Sequence, residues 1–557
     1  MISKIKSTIN RYPNLFSLLL FVLLSFLLVL PYLHGPAYQH MPGWDGRFHI
    51  SRVAESYLNL KAGHITQINP SIMTKTFGSF GYPQNIFYPI FVMLPETFLQ
   101  LIIGNAYGAY LVFVGLIFFL TFASMYVCTL NLSSNHYTAL LSSILYGLGH
   151  FTLTINLFYR SFGGSFAFIF IPIAFYGIYQ IAIADCRKWW ILSLGVTGLI
   201  FSDLPDASVS LLLLLLSFLV TFTESESIQT KAKRFLRLVY AGILTIGLTA
   251  FFLFPLIQNL LFVKNIAVTK LMLSKTAYPL INLFITDKLA SYSLGISGLI
   301  LVVCIAIYWQ KFKAPYKYFS VMLIISILMA STVFPWTPFD KYLSFIQFVG
   351  RFLYFATFLA ALLGASAITE LVHGMQNKKI VISLFCVIGI LAGTSLNFNI
   401  KHSQVNNSVY ETSWRDFQKS TLNNNVYDYL PSKSVGLKDK LLKHDINVMN
   451  PKKQIKQLKW STGYNVIHYQ IKAQYAYEKL ILPNIYYPGF ATYVNGTKVD
   501  GGYTKQNLIT TPIKKGINQI DVRYIKTPVQ LFSIWLSVLS WIGLLIFNLL
   551  LSLKRKK

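Results

Sequence analysis

Residues 14–30 read NLFSLLLFVLLSFLLVL, a stretch of seventeen residues without a single charged side chain. An α-helix rises about 1.5 Å per residue, so roughly 17–25 apolar residues reach across the hydrocarbon of a bilayer. A large soluble core would not need such an uninterrupted run. The stretch therefore predicts a membrane-spanning helix, and similar runs recur through much of the chain.

Composition and charge agree with a membrane protein. Of the 557 residues, 54% are hydrophobic and 12% are charged, whereas soluble globular proteins carry about 25% charged residues. The net charge of +29 comes from Lys and Arg at the termini, between apolar runs and in one late polar stretch. The positive-inside rule and anionic lipids explain that distribution. Nucleic acid is not expected as a partner, since no basic face with base-stacking aromatic residues is visible.

Signals for a cofactor, a metal or a disulfide framework are missing from the sequence. The four cysteines lie within or beside apolar runs and form no CxxC pair, so we expect them to pack as small apolar residues. No P-loop, GxGxxG, GxSxG or HExxH pattern is present. We predict no cofactor and neither ATP-driven nor serine-hydrolase chemistry; a divalent metal is not indicated, although it stays open.

About twelve apolar runs are predicted to span the membrane. The first should be retained, because PYLHGP behind it is a poor signal-peptide cleavage site. The basic segments between runs should face the cytoplasm. The predicted spans are 14–33, 107–129, 137–156, 163–184, 189–204, 207–223, 236–262, 292–310, 317–335, 345–370, 378–397 and 528–552.

One further run, 86–103 (IFYPIFVMLPETFLQLII), decides the topology. It holds two prolines and Glu96. Counting it as a span puts the DCRK loop and the terminal KRKK outside, against the positive-inside rule. We therefore interpret it as an interfacial or re-entrant segment. Both termini are then cytoplasmic, and the loop 34–106 and the segment 398–527 face outward.

This topology divides the chain into three parts. Residues 1–397 are predicted to form a transmembrane domain, 398–527 an extracytoplasmic β-rich domain, and 528–557 the last span with a basic tail. The β-rich assignment comes from alternating apolar residues on both sides of Asn495-Gly496, which is a strong hairpin signal.

The first outer loop contains a segment with helical periodicity, 48–62 (FHISRVAESYLNLKA). Phe48, Val53 and Tyr57 fall on one face, whereas polar residues such as Arg52 take the other. This pattern predicts an amphipathic helix on the outer membrane surface.

Asp45 is the first candidate for chemistry. It lies in GWDGRFH, between the first span and the surface helix, where a tight turn would present its carboxylate at the bilayer edge. An Asx turn or a helix cap is the alternative explanation. The position favours a functional role, because a lipid-borne substrate would arrive there. His49 of the same segment is a further candidate for substrate binding.

Two arginines near the outer ends of spans are candidates for binding a phosphate. Arg351 lies in QFVGRFLYFATF, where a charge costs about 2.5–3.5 kcal/mol on insertion scales unless it is paired or hydrated. A planar guanidinium suits a phosphate. A snorkelling side chain is the alternative. The same reasoning applies to Arg160 in LFYRSFGG.

Asp203 and Asp206 lie in FSDLPDAS, between two predicted spans. Two carboxylates there would suit a cation or a sugar hydroxyl, although a helix cap explains Asp206 better. Glu96 and His150 are weaker candidates, for which a structural role is an equal alternative.

The order of several segments resembles the bacterial YfhO-like membrane family. They are WDGRFHISRVAESYLNLKAGHI, FGYPQNIFYPIFVMLPETF, SSILYGLGHFTLTINLFYRSFGGSFAFIFIPIAFYGIY, QFVGRFLYF and YYPGFATYVNGTKV. Some relatives are described as related to 6-pyruvoyl-tetrahydropterin synthase, but the zinc-binding histidine cluster of the soluble pterin enzymes is not found in this chain.

The family is similar to the C-type (GT-C) glycosyltransferases, which take a sugar from a polyprenyl-phosphate donor at the outer membrane face. The resemblance implies a GT-C-like fold, a catalytic carboxylate at Asp45 and a donor-phosphate contact at Arg351. The family often has Ser-His where this chain has Ser202-Asp203, so the role of Asp203 stays open.

The resemblance makes a membrane glycosyltransferase in the bacterial plasma membrane the first hypothesis, acting on an envelope glycan or protein acceptor. A flippase of lipid-linked glycans would instead require ionisable residues near the membrane midplane and repeated halves, which the sequence does not show. A non-catalytic assembly protein that binds through its β-rich domain is the third hypothesis.

The topology gives a first testable prediction. Reporters fused after Gly104 and within 398–527 should report the outer face, and one fused after Lys313 should report the cytoplasm. Reporter activity measured in intact cells checks this pattern. A cytoplasmic signal after Gly104 would mean that 86–103 crosses the membrane.

Overall fold

The computed structural model describes residues 12–33, 44–222, 225–263, 266–267, 271–285, 291–375, 377–406 and 428–556. The chain divides into two compact units, each assembled from separate segments. The first unit comprises Met1–Gly46, Tyr107–Thr245 and Lys270–Trp414, and the second comprises Arg47–Ala106, Ile246–Thr269 and Arg415–Lys557.

The first unit is helical. Its long helices are Pro13–Val29, Ala106–Ser133, His136–Gly147, Phe162–Ala182, Trp190–Ser202, Leu204–Phe218, the first part of Ile228–Phe262, Gly295–Tyr308, Ala314–Met329, Phe352–Leu371 and Lys378–Asn406. Phe352–Leu371 is the central one, because 17 of its 20 residues are buried. A helix that is apolar and buried on every side belongs to the core of a bundle.

Eight helices of the described residues are long and apolar enough to cross a membrane. They are Pro13–Tyr32, Ala106–Ser133, Phe162–Ala182, Leu204–Phe222, Ile228–Phe262, Val349–Leu371, Lys378–His402 and Pro528–Leu553. The pair His136–Gly147 and His150–Tyr159, bent by 47°, adds a ninth if it counts as one span. The multi-pass helical architecture is thus confirmed, whereas the number of twelve stays a prediction.

The difference lies in three of the four shorter apolar helices. Trp190–Ser202, Gly295–Lys311 and Ala314–Met329 fall on predicted spans but are shorter than 18 residues. The fourth, Leu94–Ile103, covers only the second half of the 86–103 run, and no span-length helix is formed there. Apolar runs in the sequence extend beyond the helices because loop residues are apolar as well.

Helix Phe162–Ala182 begins with two glycines that allow close contact. A Cβ atom on Gly163 would lie 2.9 Å from the Cβ of Asp203, and one on Gly164 would overlap with the Tyr354 hydroxyl. Heavy atoms of this kind do not approach so closely, so only glycine fits at these two positions.

The segment predicted as a surface helix is helical from Trp44 to Lys61, and its residues from Arg47 onward belong to the second unit. Asp45 therefore lies in the first helical turn and not in a turn before the helix. The predicted solvation of the polar face is wrong: Arg52 and Glu55 both have 0% exposure. The polar face is covered by protein. The helical periodicity of the segment therefore distinguishes an apolar buried face from a polar buried face.

Specific hydrogen bonds compensate these buried charges. The Glu55 carboxylate accepts the backbone N–H groups of Thr74, Lys75 and Thr76 at 2.7–3.2 Å. Burial raises the pKa of Glu55, and these hydrogen bonds oppose that shift. Arg52 donates to Asn85 Oδ1 at 2.9 Å and to the carbonyls of residues 88 and 89.

The C-terminal part of the second unit is β-rich, as predicted, and precedes the last helix, Pro528–Lys556. An antiparallel five-stranded sheet has the order Ile455–Thr462, Val466–Ala473, Gly516–Tyr524, Phe490–Val494 and Thr497–Val499, and a three-stranded sheet has the order Tyr477–Ile485, Leu508–Ile513 and Gly502–Tyr503. The Asn495-Gly496 hairpin is confirmed, with positive φ angles of 51° and 81°.

The predicted boundary at 398 needs correction. Helix Lys378–Asn406 runs past it, because FNIKHSQVN continues the helix although the segment has become polar. The part of 398–527 after residue 406 is described only from residue 428 onward.

Candidate active site

The candidate site begins at the entry to the central helix of the first unit. A short turn, Val349–Arg351, leads into Phe352–Leu371 and holds the Arg351 side chain at 12% exposure. A guanidinium cannot lose its proton in a protein, so this position buries a permanent positive charge.

Two carboxylates compensate that charge. Arg351 Nη2 lies 3.4 Å from Asp203 Oδ2, and Nε lies 3.2 Å from Asp206 Oδ1. Nη2 also donates to Gln347 Oε1 at 3.2 Å. Asp206 is 4% exposed and Asp203 is 22% exposed. The structure thus joins three candidates from two distant segments of the sequence.

Helix geometry explains why both carboxylates reach the same arginine. Helix Leu204–Phe218 begins directly after Asp203, so the two acids are three residues apart and one helical turn separates them. The expectation that Asp206 caps a helix starting at Ala207 is wrong. Asp203 holds the N-cap position, and its side chain makes no capping hydrogen bond.

The contacts of Arg351 leave part of the guanidinium unsatisfied. Within the described residues, Nη1 and Nε have no hydrogen-bond partner, because the approach of Nε to Asp206 is too poorly aligned for one. A buried donor without a partner costs about 1–3 kcal/mol. Both groups are buried as well as unsatisfied, so they would be stabilised by a ligand oxygen that entered the recess beside them.

A small recess of about 50 Å³ adjoins the Arg351 cluster. Asp45 lines it together with Asp203, Asp206 and Arg351. The remaining lining residues are Ile155, Tyr159, Ser161, Tyr292, Phe348 and Tyr354. Asp45 is exposed and lies in the first turn of its helix.

A larger cavity of about 590 Å³ shares Asp45, Tyr159, Tyr292 and Phe348 with the recess. Its other lining residues are Phe158, Lys275, Thr276, Ala277 and Tyr278. The recess is polar and charged, whereas the cavity is mainly aromatic. One end of a ligand would therefore meet charges and the other would meet rings.

Burial also affects the acidity of the cluster. Burial raises the pKa of Asp203, and the Arg351 guanidinium beside it opposes this shift.

In the described residues, no group of three or more His, Cys, Asp or Glu side chains is arranged to hold a metal ion.

Three predicted substrate-binding residues do not line the recess. Arg160, in the first unit, is 5% exposed and lies over the rings of Tyr32 and Tyr110 at 5.8 and 5.7 Å. His49 and Glu96 belong to the second unit, where His49 Nδ1 lies 3.3 Å from Arg52 and Glu96 is buried in a first helical turn.

Sequence reasoning missed several residues of the site. Asp206 was considered in the sequence but interpreted as a helix cap, although it follows Asp203 by three residues at a helix start. Tyr159, Tyr292, Tyr354 and Ser161 gave no such signal, since single aromatic or hydroxyl residues at span ends are common. Only the packing of five segments brings them together.

Fold and site together define a multi-pass membrane protein with a buried arginine–carboxylate cluster beside an aromatic cavity. Residues 76–415 match the family described as "Bacterial membrane protein YfhO". The match covers more than half of the chain, so the chain belongs to this family, and the resemblance seen in the sequence is confirmed. No curated protein matches the sequence significantly.

Several solved structures are similar at low sequence identity. Arabinofuranosyltransferase AftD from Mycobacteria has 12% identity and a TM-score of 0.46, over 69% of this chain and 27% of that one. The Archaeoglobus fulgidus oligosaccharyltransferase has 11% identity and a TM-score of 0.44, over 76% and 61%. ArnT from Cupriavidus metallidurans has 10% identity and a TM-score of 0.39, over 77% and 80%. ArnT is also known bound to undecaprenyl phosphate.

The cluster predicts how the ligand-free protein responds to substitution. Asp206→Asn should lower the melting temperature more than Asp203→Asn, because Asp206 is the more deeply buried partner. Removing one partner of a buried pair costs about 3–5 kcal/mol. Thermal unfolding of the purified variants in detergent measures both melting temperatures.

The control is a double variant. Asp203→Asn combined with Asp206→Asn should be less stable than either single variant, since only the double substitution leaves Arg351 without a carboxylate beside it. Equal stability of Asp206→Asn and wild type would contradict the assigned ion pair.

Proposed function

We propose that this protein is a membrane glycosyltransferase that moves a sugar from a polyprenyl-phosphate donor to an envelope acceptor at the outer membrane face. One observation carries the proposal: a single recess of the first unit is lined by the Asp45 carboxylate and by the buried guanidinium of Arg351. Glycosyl transfer from a phosphate needs both groups, a base for the acceptor and a cation for the leaving group.

The donor phosphate would bind toward Arg351. Its Nη1 and Nε groups lack hydrogen-bond partners among the described residues, and a planar guanidinium matches phosphate oxygens. Asp203 and Asp206 hold the guanidinium in place, so its orientation is set before the donor arrives. Because the guanidinium is already oriented, little free energy is spent on reorienting it when the transition state forms.

The acceptor would bind toward Asp45. The hydroxyl oxygen of the acceptor forms the new bond to the anomeric carbon of the sugar, and the Asp45 carboxylate takes the proton of that hydroxyl. The bond between the anomeric carbon and the phosphate oxygen breaks, and its electron pair stays on the polyprenyl phosphate. Arg351 offsets the charge that develops there. The products are the glycosylated acceptor and a polyprenyl phosphate.

The aromatic cavity supports a donor that is partly apolar. Tyr159 and Tyr292 stack with ring centroids 5.4 Å apart, and Tyr292 stacks on Phe348 at 6.1 Å. Such a wall suits the face of a sugar ring or the first isoprene units of the lipid. Because the cavity opens onto Asp45, the reacting carbon and the base would share one space.

The direct test is a transfer assay with the full-length purified protein. Donors of the polyprenyl-phosphate-sugar type are supplied with extracts of envelope glycan, and both released polyprenyl phosphate and labelled acceptor are measured. Release of polyprenyl phosphate and labelling of the acceptor in equal molar amounts support the proposal. Movement of the intact donor across a vesicle membrane without release of polyprenyl phosphate would favour a flippase.

Asp45→Asn should abolish transfer while leaving the protein folded. The amide keeps the size of the side chain but cannot accept a proton, and the loss of acid–base assistance typically costs about 10²–10⁴-fold in rate. Initial rates at saturating donor, with melting temperatures alongside, measure the effect. Asp185→Asn, at a carboxylate that is 58% exposed, is the matched control. Near-normal transfer by a stable Asp45→Asn would remove Asp45 from catalysis.

Arg351→Lys should raise the donor KM and lower kcat. The lysine keeps the charge opposite Asp203 and Asp206 but lacks the planar fork. We expect a loss of about tenfold or more in kcat/KM, the range for one charge-assisted hydrogen bond. Arg187→Lys, at an arginine that is 81% exposed, is the matched control. Unchanged kinetics would exclude Arg351 from donor binding.

A further inference from the structure

The charges around the recess do not balance. Arg351 is shared between Asp203 and Asp206, and Asp45 lines the same recess. With all groups ionised, three negative charges face one positive charge. A donor phosphate adds more negative charge, so Arg351 alone would leave it in an unfavourable field. A second cation is needed where the phosphate enters.

Lys275 is the cation that lines the larger cavity. It is exposed, and no ion pair to it is found among the described residues. Asp340 interacts with it electrostatically but lies beyond ion-pair distance, so the charge of Lys275 is less compensated than that of Arg351. We propose that Lys275 binds the phosphate of the polyprenyl donor in this cavity; the assignment of the donor rests on the proposed function.

The segment that carries Lys275 is anchored on both sides. Asp340 accepts hydrogen bonds from the Ser274 backbone N–H at 2.9 Å and from the Ser274 hydroxyl at 2.6 Å. The Thr276 hydroxyl oxygen accepts the Val349 N–H at 3.2 Å. Lys275 thus lies between two fixed neighbours, and only its flexible side chain must order when an anion binds.

The same anchor links the two cations. Val349 belongs to the turn that ends at Arg351, so the segment of Lys275 is hydrogen-bonded to the segment of Arg351. A phosphate between the cavity and the recess would meet the exposed lysine on one side and the unsatisfied nitrogens of the arginine on the other. Lys275 would supply net attraction, and Arg351 would supply orientation.

The test is binding of undecaprenyl phosphate to the full-length protein in lipid nanodiscs, compared among wild type, Lys275→Ala and Lys275→Arg. Lys275→Ala should bind about tenfold more weakly, the range for one charge-assisted hydrogen bond, and Lys275→Arg should recover most of the affinity. Lys275→Gln repeats the measurement if the alanine variant folds poorly. The control is Lys341→Ala, at an exposed lysine of the same unit that does not line the cavity.

The outcomes separate this site from the proposed function. If Lys275→Ala binds undecaprenyl phosphate as tightly as wild type, the site is wrong even where wild type transfers sugar. If binding depends on Lys275 and no sugar transfer occurs with any donor, the site stands and the transferase fails. If phosphatidylglycerol competes as well as undecaprenyl phosphate, Lys275 binds lipid headgroups in general and the donor assignment is overturned.

Discussion

The burial of Arg351 at the entry to the central helix is the constraint on which the first unit depends. A permanent charge in an apolar bundle must be compensated, and the protein uses two carboxylates one helical turn apart. This requirement fixes the start of helix Leu204–Phe218 against the start of Phe352–Leu371. The recess beside them follows from the same geometry.

Buried charges in the second unit are compensated differently from Arg351. Comparing the two sets of hydrogen bonds distinguishes a structural role from a ligand-binding role. Arg52 and Glu55 are fully buried, and backbone groups and neutral side chains compensate them. No side-chain nitrogen of Arg52 is left without a partner among the described residues, whereas Arg351 retains two unsatisfied nitrogens. A closed set of hydrogen bonds stabilises a fold, and an open set next to a cavity is suited to a ligand.

Much of the architecture could be predicted because its signals are local. The run at 14–30 defines a span by its own length, and Asn495-Gly496 defines a hairpin by its backbone preference. The burial of Arg52 was not predictable, because an amphipathic pattern looks the same at a membrane surface and inside a protein. The pairing of Asp206 with Arg351 was missed for a related reason: the two residues are 145 positions apart, and only tertiary packing joins them.

The two glycines in RSFGG have a consequence for how the site is shaped. Gly163 faces the Cβ of Asp203, and Gly164 faces the Tyr354 hydroxyl. Because neither glycine carries a Cβ, these two lining residues of the recess can lie close to the start of the helix. At Gly163 the nearest atoms are the Ser202 carbonyl oxygen and the Asp203 Cβ, which no side-chain rotation can move away, whereas at Gly164 the nearest atom is the end of the Tyr354 side chain. A methyl group at either position would move a lining residue, and the volume available to a substrate would change before any charged group had been touched.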